Sequence, residues 1–273
     1  MGDNQKRALY FQYALGRLAV FIVAPFIYFC VRIFGYRVRD LKTIRRRCEL
    51  LFKKHNGPWI ICANHLTNID SVILSYAIAP MHRHITRFKL LPWNLPERVN
   101  FQRNIFAAAM CYLVKCIPVN RGGDREEMRL VLEKCIYLLH RGQNLLIFPE
   151  GGRSRTGRID RNNFSYGVGR FISSCEDCKV LCIYLRGDGQ DNYSAIPRMG
   201  ERFTVSMDVL IPERTEQTGL RLQRHYAEQI INRLAQMEEA YFAARRQRHR
   251  GFNSSPCEGE KQGFTFPETR ISS

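Results

Sequence analysis

The sequence predicts an α/β protein: a single αβ-domain with a mixed sheet flanked by helices, preceded by an N-terminal membrane-embedded helical segment. Three observations predict it. From residue 57 onward, short apolar runs alternate with stretches of helical period. An uncharged fourteen-residue run, LAVFIVAPFIYFCV at 18–31, lies near the start of the chain. Of the 273 residues, 45% are apolar, enough for a sizeable core. The expected boundaries are a membrane-associated helical segment at 1–40, the αβ-domain at 41–215, a C-terminal helix at 216–250 and a polar, disordered tail at 251–273.

The N-terminal run is flanked by Arg17 and Arg32 and contains Pro25, which predicts a kink. As a helix it reaches about 21 Å, short of a hydrocarbon core of about 30 Å. Extending it back through ALYFQYALG reaches membrane length but encloses Arg17, which can snorkel from near an end. Spanning the membrane and dipping into it both fit, as does a buried core helix. Residues 32–54 then carry nine Lys/Arg against two Asp/Glu, which places the main body on the cytoplasmic side.

The elements follow from pattern. PWIICA (58–63) reads as a buried strand after Asn56-Gly57-Pro58, and 70–79 as a helix. Residues 80–104 are irregular, 105–114 helical, and CIPV (116–119) a short strand. Asp124 with Glu127 resembles a capping box opening a helix that Arg141-Gly142 ends. Then come a strand at 144–149, a helix at 162–174, strands at 179–185 and 202–211, and a long helix over 216–248 with Leu222, Tyr226, Ile230, Leu234 and Met237 on one stripe. There is no internal repeat and no GxGxxG motif.

Forty-two Lys+Arg against 25 Asp+Glu give a formal charge of +17. That suits an anionic membrane surface, a phosphorylated substrate, an acidic carrier protein or nucleic acid. The ten cysteines are scattered, many within apolar runs, as expected of reduced thiols in a cytosolic setting. Cys175 and Cys178 form one CxxC without a second, a weak zinc signal.

Three polar clusters lie at the ends of expected strands, where open α/β sheets bind ligands: NHLTNID (64–70), VNRGG (119–123) and FPEGGRSRTGR (148–158). His65 is suited to take a proton from an alcohol, and Asp70 to hold its other ring nitrogen. A helix cap at Asp70 with His65 merely nearby explains the spacing equally well. A metal site needs a third ligand, for which only His82 and His84 are near in sequence. With no GxSxG nucleophile elbow, the chemistry expected is direct activation of a substrate hydroxyl. Four arginines (Arg153, Arg155, Arg158, Arg161) follow Glu150-Gly151-Gly152, and Arg121 precedes Gly122-Gly123; both patterns suit phosphate, while a solvated basic loop is the other reading and the preferred one for Arg155 or Arg161 alone.

NHLTNID resembles the His-x4-Asp motif of the glycerolipid and lysophospholipid acyltransferase family, typified by 1-acylglycerol-3-phosphate acyltransferases. CIPVNR resembles its second block and FPEGGRSRTG its third, in the same order, and the similarity covers roughly 57–190. Gly152 stands where threonine is usual, and Cys182 where the fourth block carries proline.

The resemblance implies an O-acyltransferase that moves a fatty acyl chain to the hydroxyl of a lysophospholipid such as 1-acyl-glycerol-3-phosphate. His65 is implied as general base and Asp70 as its orienting carboxylate. Arg121, Glu150, Gly151 and Arg153 are implied as acceptor-binding residues. No metal and no cofactor are expected beyond acyl-CoA or acyl-carrier protein as co-substrate. The expected partners are membrane lipid and that donor, not nucleic acid. Residues 80–104 depart most from simpler members and leave a specialised or non-glycerol acceptor open. A non-catalytic basic module, carried by YFAARRQRHR (241–250), is the reading from a different class.

Overall fold

A computed structural model describes residues 1–101, 104–120, 122–191 and 194–253. In chain order the elements are α1 (Asp3–Ile33), β1 (Arg37–Val38), α2 (Leu41–Lys54), β2 (Trp59–Ala63), α3 (Asp70–Ile78), α4 (Met81–Thr86), a 3-10 turn (Phe88–Leu90), β3 (Trp93–Asn94), α5 (Arg98–Phe101), α6 (Ile105–Leu113), α7 (Arg125–His140), β4 (Leu145–Ile147), α8 (Gly167–Ser174), β5 (Lys179–Gly187), β6 (Arg202–Leu210) and α9 (Gly219–Asn253). The strands form one six-stranded sheet in the order β1-β6-β5-β2-β4-β3. Every neighbouring pair is parallel except β5 and β6, so the sheet is mixed, as expected.

The sheet is covered on both faces, which is why β2 is apolar throughout rather than alternating. Ile60 and Cys62 pack with Val131, Leu138, Phe171, Ile230 and Leu234 from α7, α8 and α9. Trp59, Ile61 and Ala63 pack with Ile44, Cys48, Ile73, Leu74 and Ala77 from α2 and α3. Each fully buried Ile or Leu in these layers contributes about 1.5–3 kcal/mol. Met1–Glu238 form one compact unit, which includes α1 and most of α9. From Glu239 onward the described residues, the end of α9, form a separate unit.

Among the described residues, α1 is the one helix long and apolar enough to cross a membrane. Pro25 lies inside it without ending it. One face packs on the domain through Leu9, Val20, Val23, Ala24 and Val31, along nearly the whole helix. Gln12 on that face donates to Tyr112 O (3.0 Å) and Cys116 O (2.9 Å), and Arg17 donates to Ile85 O (2.6 Å). Arg17 is thus bonded to main chain of the domain. The opposite face exposes Phe11, Leu18, Phe21, Ile22, Phe26, Phe29 and Ile33.

Several boundaries differ from the sequence expectation, each for a local reason. The helix expected at 162–174 begins only at Gly167, because Asp160 Oδ1 accepts from Asn162 N (2.9 Å) and Asn163 N (3.3 Å) in a competing turn. The run 116–119 makes only isolated parallel bridges, Asn94 with Cys116 and Glu97 with Val119; Pro118 has no N–H to extend a ladder. At α7 the Asp124 side chain caps Glu126 N (3.3 Å). Glu127 does not complete the box: it accepts from Asn120 (3.2 Å) and pairs with Arg98. The segment 80–104, expected to be irregular, holds α4, the 3-10 turn, β3 and α5. The last helix runs from Gly219 through Asn253, and the tail beyond it lies outside the described residues.

Among the described residues all nine cysteines are free thiols. In the CxxC pair Cys175 is buried and the Cys178 thiol is raised by burial, the opposite of a reactive thiolate.

Candidate functional site

β2 and β4 are parallel neighbours in the register Cys62–Ile147. Three residues past each partner come His65 and Glu150, and the register brings them together: His65 N donates to Glu150 Oε1 (2.8 Å). On the other side of β2, Asn64 continues the ladder with its side chain. It donates to Leu185 O (2.9 Å) and accepts from Leu185 N (2.7 Å). The turn that follows is therefore anchored to both neighbours of the central strand.

Within the turn, His65 Nδ1 lies 3.0 Å from Asp70 Oδ2. The same oxygen accepts from Leu66 N (2.6 Å) and Thr67 N (2.8 Å), while Oδ1 accepts from Thr67 Oγ1 (2.6 Å). Asp70 is 1% exposed and opens α3 without capping it, because its carboxylate turns back onto the loop. The cap and the histidine partner are thus alternatives that the geometry separates. The His65 ring stacks on Phe148, with centroids 4.1 Å apart and planes 18° apart. With Nδ1 engaged, Nε2 is left without a hydrogen-bond partner among the described residues. An imidazole so held donates from Nδ1 and presents a lone pair at Nε2.

Glu150 is half-buried by surface area, and its carboxyl is well enclosed. Burial pushes its pKa from 4.5 up to about 8, with the charges of Glu238, Asp70 and Asp160 acting in the same direction against the bond from His65 N. Gly151 follows at φ +69°, a left-handed position that suits glycine, with its N–H on Phe148 O (3.0 Å). Arg153 is half-buried just beyond. Ser154 N donates to His65 O (2.8 Å), closing the third loop onto the first. The Ser154 hydroxyl is engaged elsewhere, donating to Arg158 O (2.6 Å) and accepting from Arg158 N (3.0 Å).

The structure thus brings together His65, Asp70, Glu150 and Gly151. Arg121 lies outside the described residues. The run leading to it borders 94–97, beside β3 and on the far side of β4 from His65. Of the histidines weighed as metal ligands, His84 is buried with Nε2 on Ser75 O (2.9 Å), and burial lowers its pKa to about 4. Among the described residues no group of three or more His, Cys, Asp or Glu is placed to hold a metal ion.

Two contributors escape a motif reading. Phe148 is visible in FPEGG, but its stacking under the imidazole is not. Glu238, on α9, reaches the third loop. It accepts from Ile159 N (3.4 Å) and Tyr184 OH (3.4 Å) and lies 3.8 Å from Arg158 Nη1. The available signal was position: Glu238 stands four residues after Leu234 and eight after Ile230, on the apolar stripe of its helix.

An apolar cavity of about 80 Å³ lies between α1, α3 and the segment 84–94. Its walls include Val20, Val23 and Ala24 of α1, Ser71 and Val72 next to Asp70, and Phe88 and Leu91. Lys115, wholly buried, ties this segment down by donating to Leu91 O (2.6 Å) and Gln143 Oε1 (3.1 Å), among the rings of Tyr13, Phe88 and Trp93.

Residues 35–186 match the family model described as Acyltransferase. No curated protein sequence matches the chain.

Proposed function

The chain belongs to the acyltransferase family, and from that premise we propose that it transfers a fatty acyl chain from acyl-CoA or acyl-carrier protein to the hydroxyl of a lysophospholipid such as 1-acyl-glycerol-3-phosphate, on the cytoplasmic side of a membrane. The observation that carries this reading is the His65–Asp70 pair at 3.0 Å, with the carboxylate fixed by three further bonds.

His65 Nε2 takes the proton of the acceptor hydroxyl as its oxygen attacks the thioester carbonyl. The C–O bond forms, the tetrahedral intermediate collapses, and the C–S bond breaks. The imidazolium returns the proton to the leaving thiolate. Asp70 stabilises that imidazolium and fixes the tautomer, and Phe148 fixes the ring plane. Arg121 and Arg153 hold the acceptor's phosphate, and Glu150 with Gly151 shapes the acceptor-binding loop. The apolar lining of the cavity beside α3 suits the end of an acyl chain. The exposed apolar face of α1 rests in the bilayer.

The test is to incubate membranes containing the protein with labelled acyl-CoA or acyl-carrier protein and a panel of lysolipids, and to identify products by mass spectrometry. The expected product is an ester of the lysolipid hydroxyl, formed by the wild type and not by His65→Ala. Equal product from His65→Ala would sink the assignment. Because part of the cavity wall comes from 80–104, the segment that departs most from simpler members, the panel includes a non-glycerol acceptor; exclusive acylation of that acceptor would replace the lysophospholipid.

A further inference from the structure

One surface lies outside the matched segment, in the loop between β5 and β6. It exposes Ile196 (61%) and Met199 (71%), with exposed Arg198 between them and buried Pro197 anchoring the turn. Large apolar side chains exposed singly are ordinary. Here two of them share one short turn, and the turn is bound at both ends to structures already implicated.

At one end, Asn68 N in the His65–Asp70 turn donates to Ala195 O (2.9 Å). At the other, Gly200 N donates to Phe34 O at the end of α1 (2.7 Å), and Tyr36 OH donates to Pro197 O (3.1 Å). Gly35 and Gly200 run backbone against backbone: a Cβ on Gly35, at φ +70°, would meet Gly200 Cα at 3.2 Å. The loop is therefore tied to the residues that immediately follow α1. Met199 thus directly precedes the residue bonded to exposed Phe34, which follows exposed Phe29 and Ile33 of α1.

We propose that residues 195–199 form a second membrane-dipping element, inserted in the lipid interface beside the His65–Asp70 turn, and that its partner is an anionic bilayer surface. The backbone bond to exposed Phe34, at the end of a helix whose outer face is apolar, argues for lipid as the occupant. Arg198, with no ion pair among the described residues, adds attraction to anionic headgroups. An amphiphile rising from the bilayer would then meet the catalytic turn at the Asn68–Ala195 contact, without leaving the interface. This kinetic consequence rests on the acyl-transfer reading; insertion itself does not.

The experiment uses the full chain on vesicles of phosphatidylcholine and phosphatidylglycerol containing brominated acyl chains. Both native tryptophans, Trp59 and Trp93, are buried, so Ile196→Trp adds a reporter over a shielded background. The expected result is a blue shift and quenching of the added emission. An unquenched, water-exposed emission from vesicle-bound protein overturns the proposal, as does failure of the protein to bind the vesicles. In the second arm, Ile196→Ser/Met199→Ser should lower transfer to a bilayer-embedded lysolipid by about ten-fold or more and leave transfer to a short-chain, monomeric lysolipid unchanged. Equal losses on both acceptors also overturn it. If the wild type transfers no acyl group, the quenching arm alone still decides insertion.

Discussion

The turn 64–70 and the arginine-rich loop 150–161 leave neighbouring strands of one sheet, yet the carboxylate that braces each comes from a different distance. The first has outside anchors at Leu185, Glu150 and Ala195, and its bracing carboxylate is its own. Asp70 lies five residues from His65 and binds four groups inside the same heptapeptide. The second has local bonds between Ser154 and Arg158, but its bracing carboxylate is Glu238 on distant α9, and buried Arg186 of β5 donates to Gly157 O. A reacting group needs fixed geometry, which short-range bonds give at little entropic cost. A loop that must admit a substrate can be steadied at its rim from a distance.

The sharpest way to break the contrast is His65→Ala. With no other imidazole shown at Nε2's position, acyl transfer should fall by about 10³–10⁴. Circular dichroism and vesicle binding should match the wild type, since the side chain is peripheral to the core. Asp70→Asn comes next. Asparagine keeps an oxygen for Leu66 N and Thr67 N but removes the charge facing the imidazolium, so turnover should fall by about 10²–10³ with the fold retained. Asp70→Ala differs in kind: it strands two buried N–H groups and a hydroxyl, at about 1–3 kcal/mol each, and should show first as lost stability on urea unfolding.

This difference also explains what could be read from the chain. β2 was legible from its unbroken apolar run, and His65 with Asp70 as a candidate pair from their five-residue spacing, which left a helix cap equally open. The meeting of His65 with Glu150 was not, since it depends on the Cys62–Ile147 register, which no local pattern encodes. The α9 stripe was legible as a core face, and Leu234 and Ile230 are indeed buried. What the stripe could not reveal is that its next member, Glu238, would meet Ile159 N and Tyr184 OH rather than water. The helix expected from 162 failed because Asp160 offered the backbone a local alternative.

Glu150 joins the two loops and gives the comparison a pH axis. Its carboxyl, raised from 4.5 to about 8, binds a proton in the folded chain that the unfolded chain has already released. Stability should therefore fall as pH rises from 4.5 and level off above about 8, and Glu150→Gln should flatten that slope. The same substitution should remove a limb near pH 8 from the wild-type profile of kcat/KM. A limb that persists in Glu150→Gln assigns the titration to another group.

The smallest effect expected is also the most discriminating. Glu238 reaches the third loop from outside the family-matched segment, through Ile159 N and Arg158. Glu238→Ala removes an acceptor used by Ile159 N and Tyr184 OH and one partner of Arg158. Acceptor KM should rise several-fold with kcat nearly unchanged, at a stability cost of about 1–3 kcal/mol. A purely structural residue would produce the stability loss without touching the proton on Glu150. Glu238→Gln separates the two roles, because it keeps hydrogen-bond acceptors and removes the charge. Glu238 is one of the groups that raise Glu150, so its neutralisation should move the limb near pH 8 to lower pH. An unmoved limb in Glu238→Gln, with KM restored, would reduce Glu238 to a mechanical clamp on residues 158–159.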